Sequence, residues 1–395
     1  MVKFPQQIVA VCSDIPEKLL AYVCFILLYC CIVSGVVGTC HGSEIDEKIE
    51  EIATDSREIG KSFKREPRVV VVPIPVSNPT IGTGLAVTAL YLHPQTKKGG
   101  DVPTTTSGVV GMYTDSESWL TGIFHDGFYA EDKYRVRAAL GYGDFKLKFY
   151  GIGNDSIFRD NPIHYQALTT AFMPRILFKL PSNNWFLGPH YFYLNLDYAF
   201  DFSNLLPGLP KREAFSTTAG LGLVAVYDSR DNNMWPAEGT WFEMTATNYG
   251  ENFGGDFDYN KLILKFAKYF PPAGTIILAY RFDGQFIDGK APFYDLSQMH
   301  LRGFPMGRYV DDVAVSGQVE GRWNFYKRWS AVLFGGVGRI ADEVNTLSSS
   351  PNLYAGGTGI RYRIKEKEKL NIGVDITYGD GQTEFYVVVG DWLAN

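Results

Sequence analysis

An all-β fold, a transmembrane antiparallel β-barrel of about sixteen strands, is what this sequence predicts. Three observations carry the prediction. The first is a two-residue alternation that begins after Arg68 and holds to the end of the chain. Leu370, Ile372, Val374, Ile376 and Tyr378 alternate with Asn371, Gly373, Asp375, Thr377 and Gly379, and successive strand side chains point to opposite faces. The second is length: the apolar faces run unbroken over about ten residues, the span a tilted strand needs to cross a bilayer. The third is charge in mid-strand on the opposite face, as in Lys261 and Lys265 or Arg281 and Asp283, which suits a watery interior better than a packed core. A soluble sandwich with one wet face shares this periodicity and is the competing fold.

In chain order the alternation places strands at 69–75, 81–92, 106–113, 119–129, 134–150, 165–178, 185–200, 215–227, 240–248, 257–270, 275–286, 313–325, 329–340, 353–364, 370–378 and 383–392. In the seventh of these, Phe192, Leu194, Leu196, Tyr198 and Phe200 are expected to face lipid, with Asp197 on the lumen side. If the first strand rises from the periplasm, every second connection is periplasmic and should be short. Glu131-Asp132, Pro181-Ser182-Asn183-Asn184, Pro271-Pro272-Ala273-Gly274, Tyr326-Lys327-Arg328 and 365–369 obey. The long connections near 151–164, 201–214, 287–312 and 341–352 all fall outside. Only 93–105 and 228–239 are longer than an inner turn requires.

Aromatic residues make up 15% of the 395 residues, and there are 41 glycines. Such usage fits aromatic girdles on an outer face and strands that bend at glycine. The formal charge of −6 argues against a nucleic-acid partner.

Residues 1–42 read as a signal peptide: an apolar run from Leu19 to Val37, then small residues before Ser43-Glu44-Ile45-Asp46. The same run is long enough for an uncleaved transmembrane helix, and Val37-Gly38-Thr39-Cys40 loosely resembles a lipobox with an atypical Thr39. All five cysteines (Cys12, Cys24, Cys30, Cys31, Cys40) lie here. From His41 onward there is neither thiol catalysis nor a thiolate metal site, as suits an exported chain. Residues 43–67 form a short charged helix or periplasmic tail, with Ile45, Ile49, Ile52 and Ile59 at helix-compatible spacing. Residues 68–395 are the barrel domain.

Three segments depart from plain alternation. Phe149-Tyr150-Gly151-Ile152-Gly153-Asn154-Asp155 closes the fifth strand; Asp228-Ser229-Arg230-Asp231 precedes Pro236 and Gly239; and Leu301-Arg302-Gly303-Phe304 sits in the longest connection. In this order, on this background, they resemble the BamA/TamA-like bacterial surface antigen superfamily of outer-membrane β-barrels. The resemblance implies that the connection between the eleventh and twelfth strands folds back into the lumen, with Arg302, Gly303 and Phe304 at its tip. A fixed guanidinium there needs a carboxylate partner. Alternation puts Glu320 on the lumen face of the twelfth strand, opposite Val319, and makes it the expected partner. Relatives commonly offer a second aspartate in Phe-x-Asp-x-Gly. Here Phe334-Gly335-Gly336-Val337-Gly338 has Gly336 at that place, so the lock is expected to be less fully satisfied.

By the same resemblance Asp228, Arg230, Pro236 and Gly239 form the periplasmic turn after the eighth strand, braced by local hydrogen bonds and without evident chemistry. Phe385 and Trp392 resemble the aromatic barrel-end signal read by β-augmentation, with Leu393-Ala394-Asn395 weakening recognition or hanging in the periplasm. Pro73 and Pro75 cannot donate to a ladder, which gives a weak seam between first and last strands. In assembly relatives such a seam opens to template incoming strands. Assembly members also carry POTRA domains, for which 43–67 is too short.

Three functions compete. One is an outer-membrane barrel that assists insertion or translocation of proteins or lipids. The second is a passive solute channel or structural barrel with a mixed-charge lumen. The third is an outer-membrane hydrolase, against which stand scattered histidines with no His-x-x-x-His or Gly-x-Ser-x-Gly pattern. A triad assembled across strands is defined by geometry and escapes such a reading. No catalytic residue, cofactor or metal is assigned. The expected partners are outer-membrane lipids and client proteins of the periplasm or outer membrane, and a homodimer is left open.

Overall fold

The computed structural model describes residues 68–78, 80–93, 105–181, 184–202, 212–232, 235–365, 369–391 and 393. The leader, the charged segment 43–67 and Trp392 lie outside the described residues. The first strands are β1 (Arg68–Asn78), β2 (Gly82–Leu92), β3 (Thr106–Thr114), β4 (Trp119–Tyr129) and β5 (Tyr134–Phe149). Next come β6 (Ile163–Phe172), β7 (Arg175–Lys179), β8 (Trp185–Asp201), β9 (Arg212–Asp228) and β10 (Gly239–Tyr249). They continue as β11 (Tyr259–Ala273), β12 (Ile276–Gly289), β13 (Ser297–Gln298), β14 (Val310–Asp311) and β15 (Val313–Tyr326). The last are β16 (Trp329–Ala341), β17 (Leu353–Lys365), β18 (Leu370–Gly379) and β19 (Gln382–Val389).

Neighbours pair antiparallel in sequence order, as a meander from β1–β2 to β18–β19. β6 and β7 both lie between β5 and β8. They are one crossing broken at Met173–Pro174, because proline has no N–H for the ladder. The two-residue β13 and β14 pair only with each other, inside the connection from β12 to β15. Setting those two aside and counting β6 with β7 once, the nineteen strands make sixteen crossings. The first and last strands, β1 and β19, come within 8 Å between Cα atoms. Among the described residues no register pairs them, whereas β1 pairs with β2 along its whole length.

The two faces invert the pattern of a soluble protein. On one face Val319 is 62% exposed, Leu333 70% and Val374 50%, while on the other Glu320, Arg322, Arg361 and Asp375 are all within 3% of full burial. A water-soluble sandwich would do the reverse, since exposed apolar area costs about 25 cal/mol per Å² and buried charge costs more. At the short-turn end, outward rings touch one another: Tyr134 with Phe178, Trp185 with Tyr227 and Phe242, Trp323 with Phe325, Trp329 with Tyr362. This is an aromatic girdle of the kind that sits at a membrane interface.

Two expectations are corrected. On β8 the apolar set turns inward. Leu196 pairs with Ser216, and Phe200 and Tyr198 pack on Phe293, 5.2 and 5.4 Å between ring centroids. Asp197 is on the outer side and exposed. Apolar residues here face the aromatic start of the β12–β15 connection, Phe293 and Tyr294, a partner that strand periodicity cannot reveal. Leu393 also does not hang free, while Ala394 and Asn395 lie outside the described residues. After Gly390 (φ 75) the backbone turns inward, and Leu393 is fully buried among Tyr269, Ala279, Val388 and Trp241.

Candidate functional site

The β12–β15 connection crosses the concave face and is held at four places. Near its start the Phe293 ring packs against Phe149, Tyr165 and Phe200. The Tyr294 hydroxyl meets Ser216 and Thr218, and Asp295 accepts from Lys261 Nζ (2.8 Å) and the Tyr259 hydroxyl (2.6 Å). Next, the His300 carbonyl accepts from Ser316 Oγ at 2.7 Å, and Leu301, Phe304 and Tyr309 join Met299, Ala314, Ile340 and Ala355 in a buried cluster. At the tip, Gly303 N–H donates to the Tyr386 hydroxyl (3.0 Å). Its φ of 111 with the Ala355 methyl 3.0 Å from where a Cβ would lie leaves room for glycine alone. On the return, Arg308 and the Tyr309 hydroxyl grip Asp380 at 2.5 and 2.8 Å.

Arg302 is fully buried and reaches two carboxylates: Nη2 to Glu320 Oε2 at 2.7 Å and Nη1 to Asp375 Oδ2 at 3.0 Å. Its guanidinium lies 3.8 Å from the centroid of the Phe334 ring. The structure thus brings Arg302 to the carboxylate alternation had placed inward, and adds Asp375 of β18. The expected shortfall from the missing aspartate at Gly336 is corrected: Asp375 supplies the second carboxylate from a strand further on.

These contacts belong to a longer chain of alternating charge. Asp391 accepts from Arg322 Nη2 (2.5 Å), Arg322 Nε donates to Glu320 (2.6 Å), Glu320 meets Arg302, and Arg302 meets Asp375. Asp375 in turn takes both terminal nitrogens of Arg361, at 2.5 and 2.8 Å. Three carboxylates and three guanidiniums, each at most 2% exposed, sum to zero. Burial of that many ions is tolerable only when every one is paired. Reading the sequence missed Arg322, Arg361 and Asp391 in this role. The alternation that puts Asp375 opposite Ile376 carried the signal for position but not for partner.

The Asp228 turn is part of the same construction. Arg230 pairs with Asp228 through two nitrogens at 2.9 Å each, and Ser229 N–H donates to the Thr240 carbonyl, with Gly239 opening β10. Asn232 Oδ1 accepts from Trp235 N (2.8 Å), and Trp235 is buried under Arg322, 4.3 Å from guanidinium to ring centroid. Arg322 Nη1 donates to the Pro236 carbonyl at 3.0 Å. This turn is longer than its neighbours because it folds inward and stacks under the charge chain. The glycine-rich segment after β5 covers the opposite end. Gly153 N–H donates to the Val310 carbonyl (3.0 Å), Asn154 to the Ile340 carbonyl (3.0 Å), and Arg159 stacks 3.8 Å over Tyr309. Phe385 lies on β19, on the face opposite Tyr386.

Asp231 anchors the turn from outside the strands, accepting from Ala237 and Glu238 N–H and from Lys369 Nζ at 2.8 Å. Burial works to raise its carboxyl, but the Lys369 ammonium and the two amides outweigh it and hold it below the ordinary range. A depressed carboxyl stabilises the fold above its unfolded value near ~4 and loses that contribution as pH falls through the folded value. Thermal midpoints in detergent should therefore fall more steeply between neutral pH and pH ~3 for wild type than for Asp231→Asn. Parallel curves would contradict the assignment.

The sequence of residues 164–379, more than half of the chain, matches the Omp85 superfamily domain. The fold is similar to BamA from Haemophilus ducreyi lacking POTRA domains 1–3, with a TM-score of 0.55 at 11% identity, over 87% of this chain and 78% of that one. It is also similar to CdiB from Escherichia coli (TM-score 0.56, 10% identity) and CdiB from Acinetobacter baumannii (0.52, 10%), each over 83% of this chain. The chain spans 66% and 59% of those two proteins. No curated protein sequence matches it. The inverted faces, the meander of sixteen crossings and the matched domain together identify the chain: it belongs to the Omp85 superfamily and is an outer-membrane β-barrel.

Proposed function

We propose that this barrel assists insertion or translocation of client proteins or lipids at the outer membrane, working at the seam between β1 and β19 and not through an open lumen. The observation that carries the reading is that three inward segments occupy the concave side: the β12–β15 connection, the Trp235 turn and the Leu393 tail. A passive channel needs a water-filled path. Here the middle of that path holds the paired ions from Asp391 to Arg361. The weak point is the seam, where no register joins the two edge strands among the described residues and where an unpaired edge can template another strand.

In this reading Arg302, Gly303, Phe304 and Glu320 lock the loop inside. Asp228, Arg230, Pro236 and Gly239 set the inward turn, and Phe385 with Trp392 serves as the barrel-end signal. Planar-bilayer recording of the purified barrel tests it. Wild type should be nearly silent, and Arg302→Ala, which frees the loop, should raise conductance at least several-fold. Steady large conductance from wild type would favour the solute channel and overturn the proposal.

A further inference from the structure

Among the described residues, the outer face carries a linked set of titratable groups near the girdle. Tyr91, Ser107 and His125 stand side by side across β2, β3 and β4, in the register Tyr91↔Ser107↔His125. His93 extends this row beyond the end of β2. Ser107 Oγ lies 2.9 Å from His93 Nε2 and 2.9 Å from His125 Nδ1. His125 Nε2 lies 2.9 Å from the Tyr129 hydroxyl. The two residues meet over Gly127, where a Cβ would fall 2.6 Å from His125 Nε2 and 2.5 Å from Tyr129 Cε2. Any other residue at 127 would part them.

The hydrogen-bond chain is directional. A serine hydroxyl has one proton, so it donates to one imidazole and accepts from the other. If Ser107 donates to His125 Nδ1, then His125 Nε2–H donates to Tyr129 and His93 Nε2–H donates to Ser107. Such an arrangement has a nucleophile on a base and the base on an orienting group, the relation that defines acyl-transfer sites irrespective of fold. Its level matters too. Tyr91 and Tyr129 are 39% and 44% exposed on the lipid side, and the aromatic belt marks the interface where lipid headgroups begin. Polar, titratable groups on a lipid-facing surface are costly to keep without a function.

We propose that Ser107, with His125 as its base and Tyr129 as a positioning residue, is an outward-facing site for hydrolysis of glycerophospholipid acyl esters. Ser107 Oγ attacks the ester carbonyl carbon while its proton passes to His125 Nδ1. The ester C–O bond then breaks, and that proton goes to the departing lysolipid oxygen. Water, deprotonated by the same nitrogen, cleaves the acyl-serine, releasing the fatty acid and restoring the hydroxyl. His93 donates to Oγ in the resting state and fixes its direction. The site lies on the opposite side of the wall from the loop lock, so it stands or falls separately from the insertion reading.

The test uses the full barrel in vesicles of phosphatidylethanolamine and phosphatidylglycerol. A fluorophosphonate ester serves as covalent probe, and fatty-acid release is read by mass spectrometry. Wild type should take up one phosphonyl group on the peptide containing Ser107 and release fatty acid with lysolipid. Ser107→Ala should lose both, and His125→Ala should slow both at least 100-fold. Tyr129→Phe should lower kcat about 10-fold with KM unchanged. Heat-modifiable migration in gels shows that each variant is folded. A folded wild type that takes no label at Ser107, or fatty-acid release that persists in Ser107→Ala, would overturn the proposal.

Discussion

Arg322→Ala should destabilise the barrel more than any other single truncation on its concave side. Arg322 ties three segments together: Glu320 of its own strand, Asp391 of the tail, and the inward turn through the Pro236 carbonyl and the Trp235 ring. Removing it takes from the buried Asp391 its guanidinium partner at 2.5 Å and from Glu320 one of its two guanidiniums. Breaking a buried pair from one side costs about 3–5 kcal/mol, because the surviving charge stays in a poor solvent. The midpoint of the heat-modifiability transition should fall by on the order of 5–15 °C. Arg322→Lys should land between, as it keeps the charge but loses the fork that serves two acids and a carbonyl. An unchanged midpoint for the alanine variant would mean that the charge chain contributes nothing to stability.

Gly336→Asp should also destabilise the protein, although it restores the aspartate that relatives commonly carry. A Cβ at Gly336 would stand 2.5 Å from Leu301 Cδ1 and 2.6 Å from the Gly317 carbonyl oxygen. Leu301 can move only by leaving its buried cluster, and the Gly317 carbonyl belongs to the β15 ladder. Overpacking of this kind costs about 1–3 kcal/mol. The carboxylate would also be a fourth acid against three guanidiniums that are already neutralised. Limited proteolysis reads the outcome: the variant should become cleavable within 290–312 under conditions where wild type resists. A variant as resistant as wild type, with an unchanged melting midpoint, would show that Asp375 and residue 336 can share Arg302 and that the site is roomier than described.

Gly336 also shows where reading the sequence reaches its limit. Strand alternation put Glu320 and Asp375 on one face because that periodicity is local, two residues at a time. It could not say that Asp375, far along the chain from Arg302, would take the place Gly336 left vacant. That depends on how the sheet curls, and curl accumulates over many strands. The β8 faces were misassigned for a related reason. An apolar row signals a dry neighbour without telling lipid from a folded-in loop, and Phe293 and Tyr294 provide the second kind. The Leu393 tail and Trp235 likewise look like ends and turns until their nonlocal partners, Arg281 and Arg322, are known.

By itself the sequence determined the class of fold, the sixteen crossings, the short and long sides of the meander, and the family. All of these rest on patterns repeated locally in every strand, so each strand confirms the rest. Only the tertiary structure decided which charges pair, what fills the concave side, and that Ser107, His93, His125 and Tyr129 converge on the outer face. Those depend on register between strands and on long loops returning through space. A hydrogen bond of 2.9 Å between residues eighteen positions apart is set by the ladder that aligns them and leaves no periodic trace in the chain.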